Sequence, residues 1–446
     1  MRDHPTHETL DRFLRGQLSA VEGARVIDHL VRGCPFCQAA AADLAGPLFE
    51  EGEPEDLGSD DGAVCEVDLD RALPAARHAA AAHQEETLLA DEIYAALVVE
   101  GHSAIHRASH FHRVPVCRAL MRRSWELRHE DPTQMLQLAD LAVYAASRLD
   151  PEQVGTVRVA ELNARALGEY GNAQRITGDL SGAERSVEQA LALYQSNDQD
   201  PLLGAHLLSL RASLFADQRR FSNALDLLEK VEKTYEEFGE RHQQGRALVQ
   251  RGIYTGYRGE AAEGVRLLRS ALALIDETVD PKLALTAVHN LAWALYECGQ
   301  LRDARVLLWE NRERYDRHAE RTMLLKRTWI EGNIAAGLGD LERAVERLSD
   351  AIQGFDEAEL GYQAALAALD LGAVWLRQGR SHAALELLEY AAETFVAIGV
   401  GREALGALAL LQQACEQERV DVTLIHQISA FLRRLEHDPS ARFKQR

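Results

Sequence analysis

The sequence predicts an all-α protein: a small N-terminal helical module, an acidic linker, and a long α-solenoid of helix–turn–helix repeats. Two observations carry the prediction. Of the 446 residues, 46% are hydrophobic but only 6% aromatic, the balance of Ala- and Leu-rich helix packing rather than of a β-sandwich. The other is a motif that returns six times in register. It reads Gly178, Leu180, Ala183, then Arg219, Phe221, Ala224, then Gly259, Ala261, Gly264. Three further copies stand at Gly299, Leu301, Ala304, at Gly339, Leu341, Ala344, and at Gly379, Ser381, Ala384.

The steps between copies are 41, 40, 40, 40 and 40 residues. Twelve residues before each closing Ala or Gly lies another small residue: Gly171, Ala212, Gly252, Ala292, Gly332 and Gly372. Seven residues after it, four of the six copies place Ala190, Ala271, Ala351 or Ala391. Small residues at these offsets let two antiparallel helices approach closely, and the intervening Gly ends the first helix and turns the chain. The pattern resembles the tetratricopeptide repeat (TPR), whose helix pairs carry small residues at the same relative offsets. A period of 40 rather than about 34 implies longer helices.

The flanks follow from the same pattern. Asp131-Pro132 opens the run Met135, Leu136, Leu138, Ala139, Leu141, Ala142, which fits an irregular first repeat, and residues 86–100 read as a capping helix. We therefore expect capping helices and irregular repeats over 69–150 and TPR-like repeats over 151–396. Residues 397–446 are expected to hold C-terminal capping helices and a tail, with one or two helices in 405–435 shielding the last apolar face. Between positions 32 and 71 there is no Lys or Arg, while eleven acids crowd the stretch with Gly52, Pro54, Gly58 and Gly62 among them. Such a stretch buries too little apolar surface to order itself, so 47–68 is expected to be a flexible linker.

Residues 1–46 carry the most specific chemistry. His29, Cys34 and Cys37 read H-x4-C-x2-C, and His4 or His7 could supply a fourth ligand. Ser19 with Glu22 is a capping-box signal that puts His29 in the last turn of a helix. Gly33 then reverses the chain into the Cys34-Pro35-Phe36-Cys37 knuckle. Two thiolates and two imidazoles suit tetrahedral zinc, and a module this small needs a staple to fold. The residues His4-Pro5, Leu10, Phe13-Leu14-Arg15-Gly16-Gln17-Leu18-Ser19, His29-Leu30 and Cys34-x-x-Cys37 resemble the zinc-binding anti-sigma fold. That resemblance implies two or three short helices around a structural Zn2+ held by His29, Cys34, Cys37 and, upstream, His4, with His7 as the fallback for His4, and, as partner, a sigma factor. The whole chain is also similar to uncharacterised bacterial proteins that join such a module to a helical repeat array. Oxidation of Cys34 and Cys37 would release the metal, a redox switch that helicity of the 1–46 fragment under oxidant and chelator would test.

In each repeat the first helix normally lines the concave groove. The register puts Asn172, His289, Trp293, Tyr296, Lys326, Trp329 and Asn333 inward. Aromatics with Lys and Asn would anchor a peptide there, or the same rings would fill the core between long helices; the sequence leaves both open. His102, His106 and His110 share a helical face beside His112 and Cys117, where Arg107 and Arg113 would repel a cation, so a solvated face is expected. Cys65, Cys298 and Cys415 stand alone and are expected as buried small hydrophobes.

Seventy acids against 49 bases give a net charge of -21, which argues against direct nucleic-acid binding over a broad surface. No apolar run reaches the ~18 residues of a membrane helix, so a soluble cytoplasmic protein is expected. The phosphate-loop, nucleophile-elbow, H-E-x-x-H and dinucleotide-loop motifs are missing, which speaks against an enzyme. The sequence thus points to an adaptor whose zinc module binds a transcription component and whose groove binds a protein or peptide. A pure repeat scaffold, with the zinc module as docking knob, is the alternative.

Overall fold

The computed structural model describes residues 112–195, 200–398 and 422–437, with the single positions Thr9 and Val26. Nearly all of the zinc module, with His4, His7, His29, Cys34 and Cys37, lies outside the described residues. So do the acidic linker, His102, His106, His110, Cys65 and Cys415. Among the described residues all regular structure is helical, and no helix is long and apolar enough to cross a membrane. The chain divides into two compact units, Met1–Leu214 and Phe215–Arg446.

The first unit begins its described part with α1 (Val114–Glu126) and α2 (Pro132–Ser147). The Asp131 carboxylate caps α2 by accepting the Gln134 N–H at 2.9 Å, and Pro132 fills the first helical position, where no N–H is required. Ser124 donates to the Met135 carbonyl at 2.9 Å and ties the two helices together. The single turn α3 (Pro151–Val154) leads into α4 (Thr156–Ile176), α5 (Leu180–Gln195) and α6 (Pro201–Asp217), whose residues up to Leu214 belong to this unit. Ala164, Val187, Leu191 and Leu207 close the core between α4, α5 and α6.

The second unit continues with α7 (Phe221–Glu237), α8 (Arg241–Tyr257), α9 (Ala261–Leu272), α10 (Pro281–Glu297), α11 (Leu301–Glu310) and α12 (Arg312–His318). Then come α13 (Arg321–Leu338), α14 (Leu341–Glu357), α15 (Gly361–Arg377), α16 (Ser381–Ile398) and α17 (Val422–His437). Helix pairs stack in chain order, α8 on α9, α13 on α14, α15 on α16. First helices of successive pairs also touch, α8 with α10, α10 with α13 and α13 with α15, more extensively than the second helices do. The first helices therefore line the concave side of this unit.

The 40-residue punctuation has a backbone cause. All six motif-opening positions have positive φ: Gly178 92°, Arg219 62°, Gly259 85°, Gly299 73°, Gly339 88° and Gly379 74°. The following N–H reaches back to the carbonyl five residues earlier, as in Asp340 to Ala335 at 3.0 Å and Arg380 to Trp375 at 2.9 Å. This is the Schellman closure of a helix, which favours a residue without a Cβ. Arg219 makes the same bond pattern with a side chain in the left-handed region. Arg219→Gly should therefore stabilise the protein by about 0.5–1 kcal/mol, the left-handed strain relieved less the extra chain entropy of glycine. A urea midpoint that falls in the variant would refute this account.

The small residues mark close helix contacts. A Cβ on Gly252 would lie 2.6 Å from Leu268 Cγ, and one on Gly332 would lie 2.8 Å from Leu348 Cγ. Ala183, Ala224, Ala304, Ala344 and Ala384 on the facing helices are fully buried. One copy departs. Asn311 stands where four copies have Ala, its amide donates to the Leu307 carbonyl at 2.8 Å, and the second helix divides there into α11 and α12. Cys298 follows α10 half-buried rather than in the core expected of it, whereas Cys117 is fully buried.

Candidate functional site

Asp370 organises the concave side of the second unit. It is the one charged residue between Gln363 and Arg377 on α15, in the stretch Ala364–Val374 that is buried throughout. Its carboxylate is 4% exposed and accepts four hydrogen bonds. Trp329 Nε1 and Asn333 Nδ2, both from α13, donate to Oδ2 at 2.9 Å each. Ser429 Oγ donates to Oδ1 at 2.8 Å, and the Arg433 guanidinium donates to Oδ2 at 2.9 Å. Ser429 and Arg433 are one turn apart on α17 and so present both donors from the same face.

Aromatic rings surround the ion pair. Trp293 and Trp329 meet edge to face with centroids 5.1 Å apart, and Tyr296 stands 5.7 Å from Trp293. The Arg433 guanidinium lies 5.9 Å from both indole centroids, at the outer range of a cation–π contact. Burial pushes the Tyr296 phenol up to about 12, against the opposing pull of the Arg433 charge. A second polar chain runs beneath. Trp293 Nε1 donates to His289 Nε2 at 3.2 Å, and His289 Nδ1 pairs with Tyr315 Oη at 3.0 Å. Burial, with Lys326 nearby, holds His289 down at about 3, so near neutral pH the imidazole is uncharged. Because its Nε2 accepts from the indole, Nδ1 carries the proton and donates to Tyr315.

The structure thus brings five of the seven inward positions into one network: His289, Trp293, Tyr296, Trp329 and Asn333. Within it His289, Trp329 and Asn333 are buried, while Trp293 and Tyr296 are half-buried. Lys326 is half-buried beside His289. Asn172 belongs to the first unit, where it is buried and accepts from Arg175 at 3.0 and 3.2 Å. In the same unit the buried Glu169 pairs with the half-buried His206 at 2.9 Å. Sequence reasoning missed Asp370, Ser429, Arg433 and Tyr315. A lone acid inside an otherwise apolar helix was the available signal for Asp370, since an unpaired buried carboxylate is too costly to persist. Nothing local marks Arg433 as its partner. Among the described residues no group of three His, Cys, Asp or Glu side chains could hold a metal ion.

No family model matches the sequence, and no curated protein matches it. Solved structures do. A Rap protein complexed with competence and sporulation factor aligns at a TM-score of 0.53 and 13% identity, over 71% of this chain and 87% of that one. The fold is a TPR-like helical solenoid. The apo form of RapI aligns at 0.49 and 10% identity, over 72% of this chain and 98% of that one. A signal-transduction ATPase from Pyrococcus horikoshii with a tetratricopeptide repeat sensor aligns at 0.45 and 14% identity. It covers 95% of this chain and 55% of its own.

Proposed function

We propose that this chain is a non-enzymatic protein–protein interaction adaptor whose second unit takes a helical or extended peptide on its concave face. One observation supports the reading above the others: that face already receives a helix. α17 packs on α15, and its Arg433 and Ser429 satisfy a carboxylate that α13 holds from the other side. Aromatic anchors and one desolvated charge at the centre of a groove are the features that concentrate binding energy in peptide recognition. The Rap protein that shares the fold was solved in complex with competence and sporulation factor.

The N-terminal module would make the second contact. His4 (or His7), His29, Cys34 and Cys37 would hold a structural Zn2+, and the helices they orient would meet a transcription component such as a sigma factor. Sequence pattern supports this part. Affinity capture from native lysate tests both contacts at once, using the full chain as wild type, as Cys34→Ser/Cys37→Ser and as Trp293→Ala, with metal content measured in parallel. We expect about one zinc per chain, as in a single four-ligand site, lost only in the double Ser variant together with the transcription partner. Trp293→Ala should release a different partner while keeping zinc and helicity. Partners unchanged in both variants would refute the adaptor reading.

A further inference from the structure

The 40-residue period places 421–437 as the second helix of one more pair, beside α16. The chain does something else. Among the described residues α17 packs on α15, a first helix, and its Arg433 reaches Asp370 and the rings of Trp293 and Trp329, so it touches three successive first helices. These contacts put its inner face where a groove ligand would lie.

Its chemistry is that of a ligand too. Ile425, Ile428, Phe431, Leu432 and Leu435 form one stripe at helical spacing, the first four fully buried and the last 8% exposed. Tyr362 of α15 donates to the Leu432 carbonyl at 2.8 Å. The floor that Arg433 meets is assembled without it, because Trp329 and Asn333 already fix the Asp370 carboxylate through their own N–H groups. Removing α17 would leave that carboxylate two donors short beneath two indole rings, a pocket shaped for a guanidinium. An ion pair of this kind fixes register more than it adds net stability, so an equivalent pair from another helix can replace it at little cost.

We propose that the concave face of the second unit is a binding site for an amphipathic helix bearing an arginine in its aliphatic stripe, and that α17 occupies it as an internal ligand which a partner helix of the same chemistry displaces. The proposal rests on the groove-binding function above and names the occupant. Because α17 belongs to the same chain, it competes at a high effective concentration, and a free helix binds only by exceeding it. The net charge of -21 favours the approach of a basic partner.

The test uses the full chain and a fluorescein-labelled synthetic peptide of residues 422–437. The wild-type chain should take the peptide weakly. An Arg433→Ala chain, its fold checked by circular dichroism, should take it at least about tenfold more tightly, a 1.4 kcal/mol change in the competition. A peptide carrying the same Arg433→Ala change should gain nothing. Should the variant chain not fold, hydrogen exchange on the wild-type chain replaces it: a saturating excess of isotope-labelled peptide should strip protection from the chain's own α17 amides. Equal weak binding to both folded chains, or α17 amides that stay protected under saturating peptide, overturns the proposal and makes α17 a fixed cap. Loss of a captured partner on Trp293→Ala alongside such a result would leave groove binding standing. Peptide exchange with no partner lost on Trp293→Ala would uphold the exchange and remove the groove from partner binding.

Discussion

Asp370→Ala should lower the unfolding free energy of the protein by about 3–5 kcal/mol, the cost of removing one partner from a buried ion pair. The change leaves the Arg433 guanidinium without its carboxylate in an aromatic enclosure and orphans Trp329 Nε1, Asn333 Nδ2 and Ser429 Oγ as well. Each buried donor left unmade adds a desolvation penalty of about 1–3 kcal/mol, so neighbouring water would have to enter to keep the loss at the lower end. Asp370→Asn keeps an acceptor oxygen but not the charge, and should lose roughly half as much. The double variant Asp370→Leu/Arg433→Met removes both charges and should recover most of the loss, the signature of a coupled pair. Chemical denaturation of the four chains, with the exposed Asp350→Ala as control, checks this. A loss below about 1 kcal/mol for Asp370→Ala, within the range of ordinary surface changes, would show that the cluster carries no structural weight.

Acid should unfold the protein earlier than its carboxylates require, because two imidazoles are buried uncharged. Burial holds His289 at about 3, and burial, helped by the Arg246 charge, holds His242 at about 4. The unfolded chain titrates both near 6.5, so between 6.5 and these lower values the unfolded state binds more protons than the folded one. Their contribution is complete above pH 6.5 and drains away as the pH falls towards 3–4. At pH 5 the His289 imidazole alone should cost about 2 kcal/mol relative to pH 7, and His242, as fully buried, nearly as much again. His289→Gln should be less stable at pH 7, having lost part of the Trp293–His289–Tyr315 chain. It should nonetheless show a visibly shallower decline of urea midpoint between pH 7 and 5. Parallel declines in the two proteins would mean that His289 is protonated in the folded state.

What could be read from the chain and what could not divide along a physical line. The turn positions were legible because a left-handed residue closing a helix is a local demand, met by glycine at five of six places and by Arg219 at the sixth. The small residues opposite them were legible for the same reason: Gly252 and Gly332 face Leu268 and Leu348 sixteen residues on, within one helix pair. His289, Trp293, Tyr296, Trp329 and Asn333 could be placed on the inner side of first helices because that side is fixed by the small-residue face. Whether those rings would meet a ligand or one another was not decided by any of them singly. It depended on what lies over them.

That covering element is α17, and its amphipathic stripe was visible in the sequence while its docking place was not. A stripe of Ile425, Ile428, Phe431, Leu432 and Leu435 specifies that a face must be buried, because apolar area leaves water wherever it is covered. It does not specify by what, since burial is non-directional and the end of the stack, or the inner face of α15, would have covered it alike. The choice was made by the Asp370–Arg433 pair across 63 residues of sequence, which requires charge, hydrogen-bond geometry and desolvation to coincide at one point. The sequence by itself determined that this protein is a stack of helix pairs and where each pair turns, because those demands are local. Which helix fills the groove was decided by the tertiary structure alone, because only there do a carboxylate and a guanidinium so far apart in the chain meet.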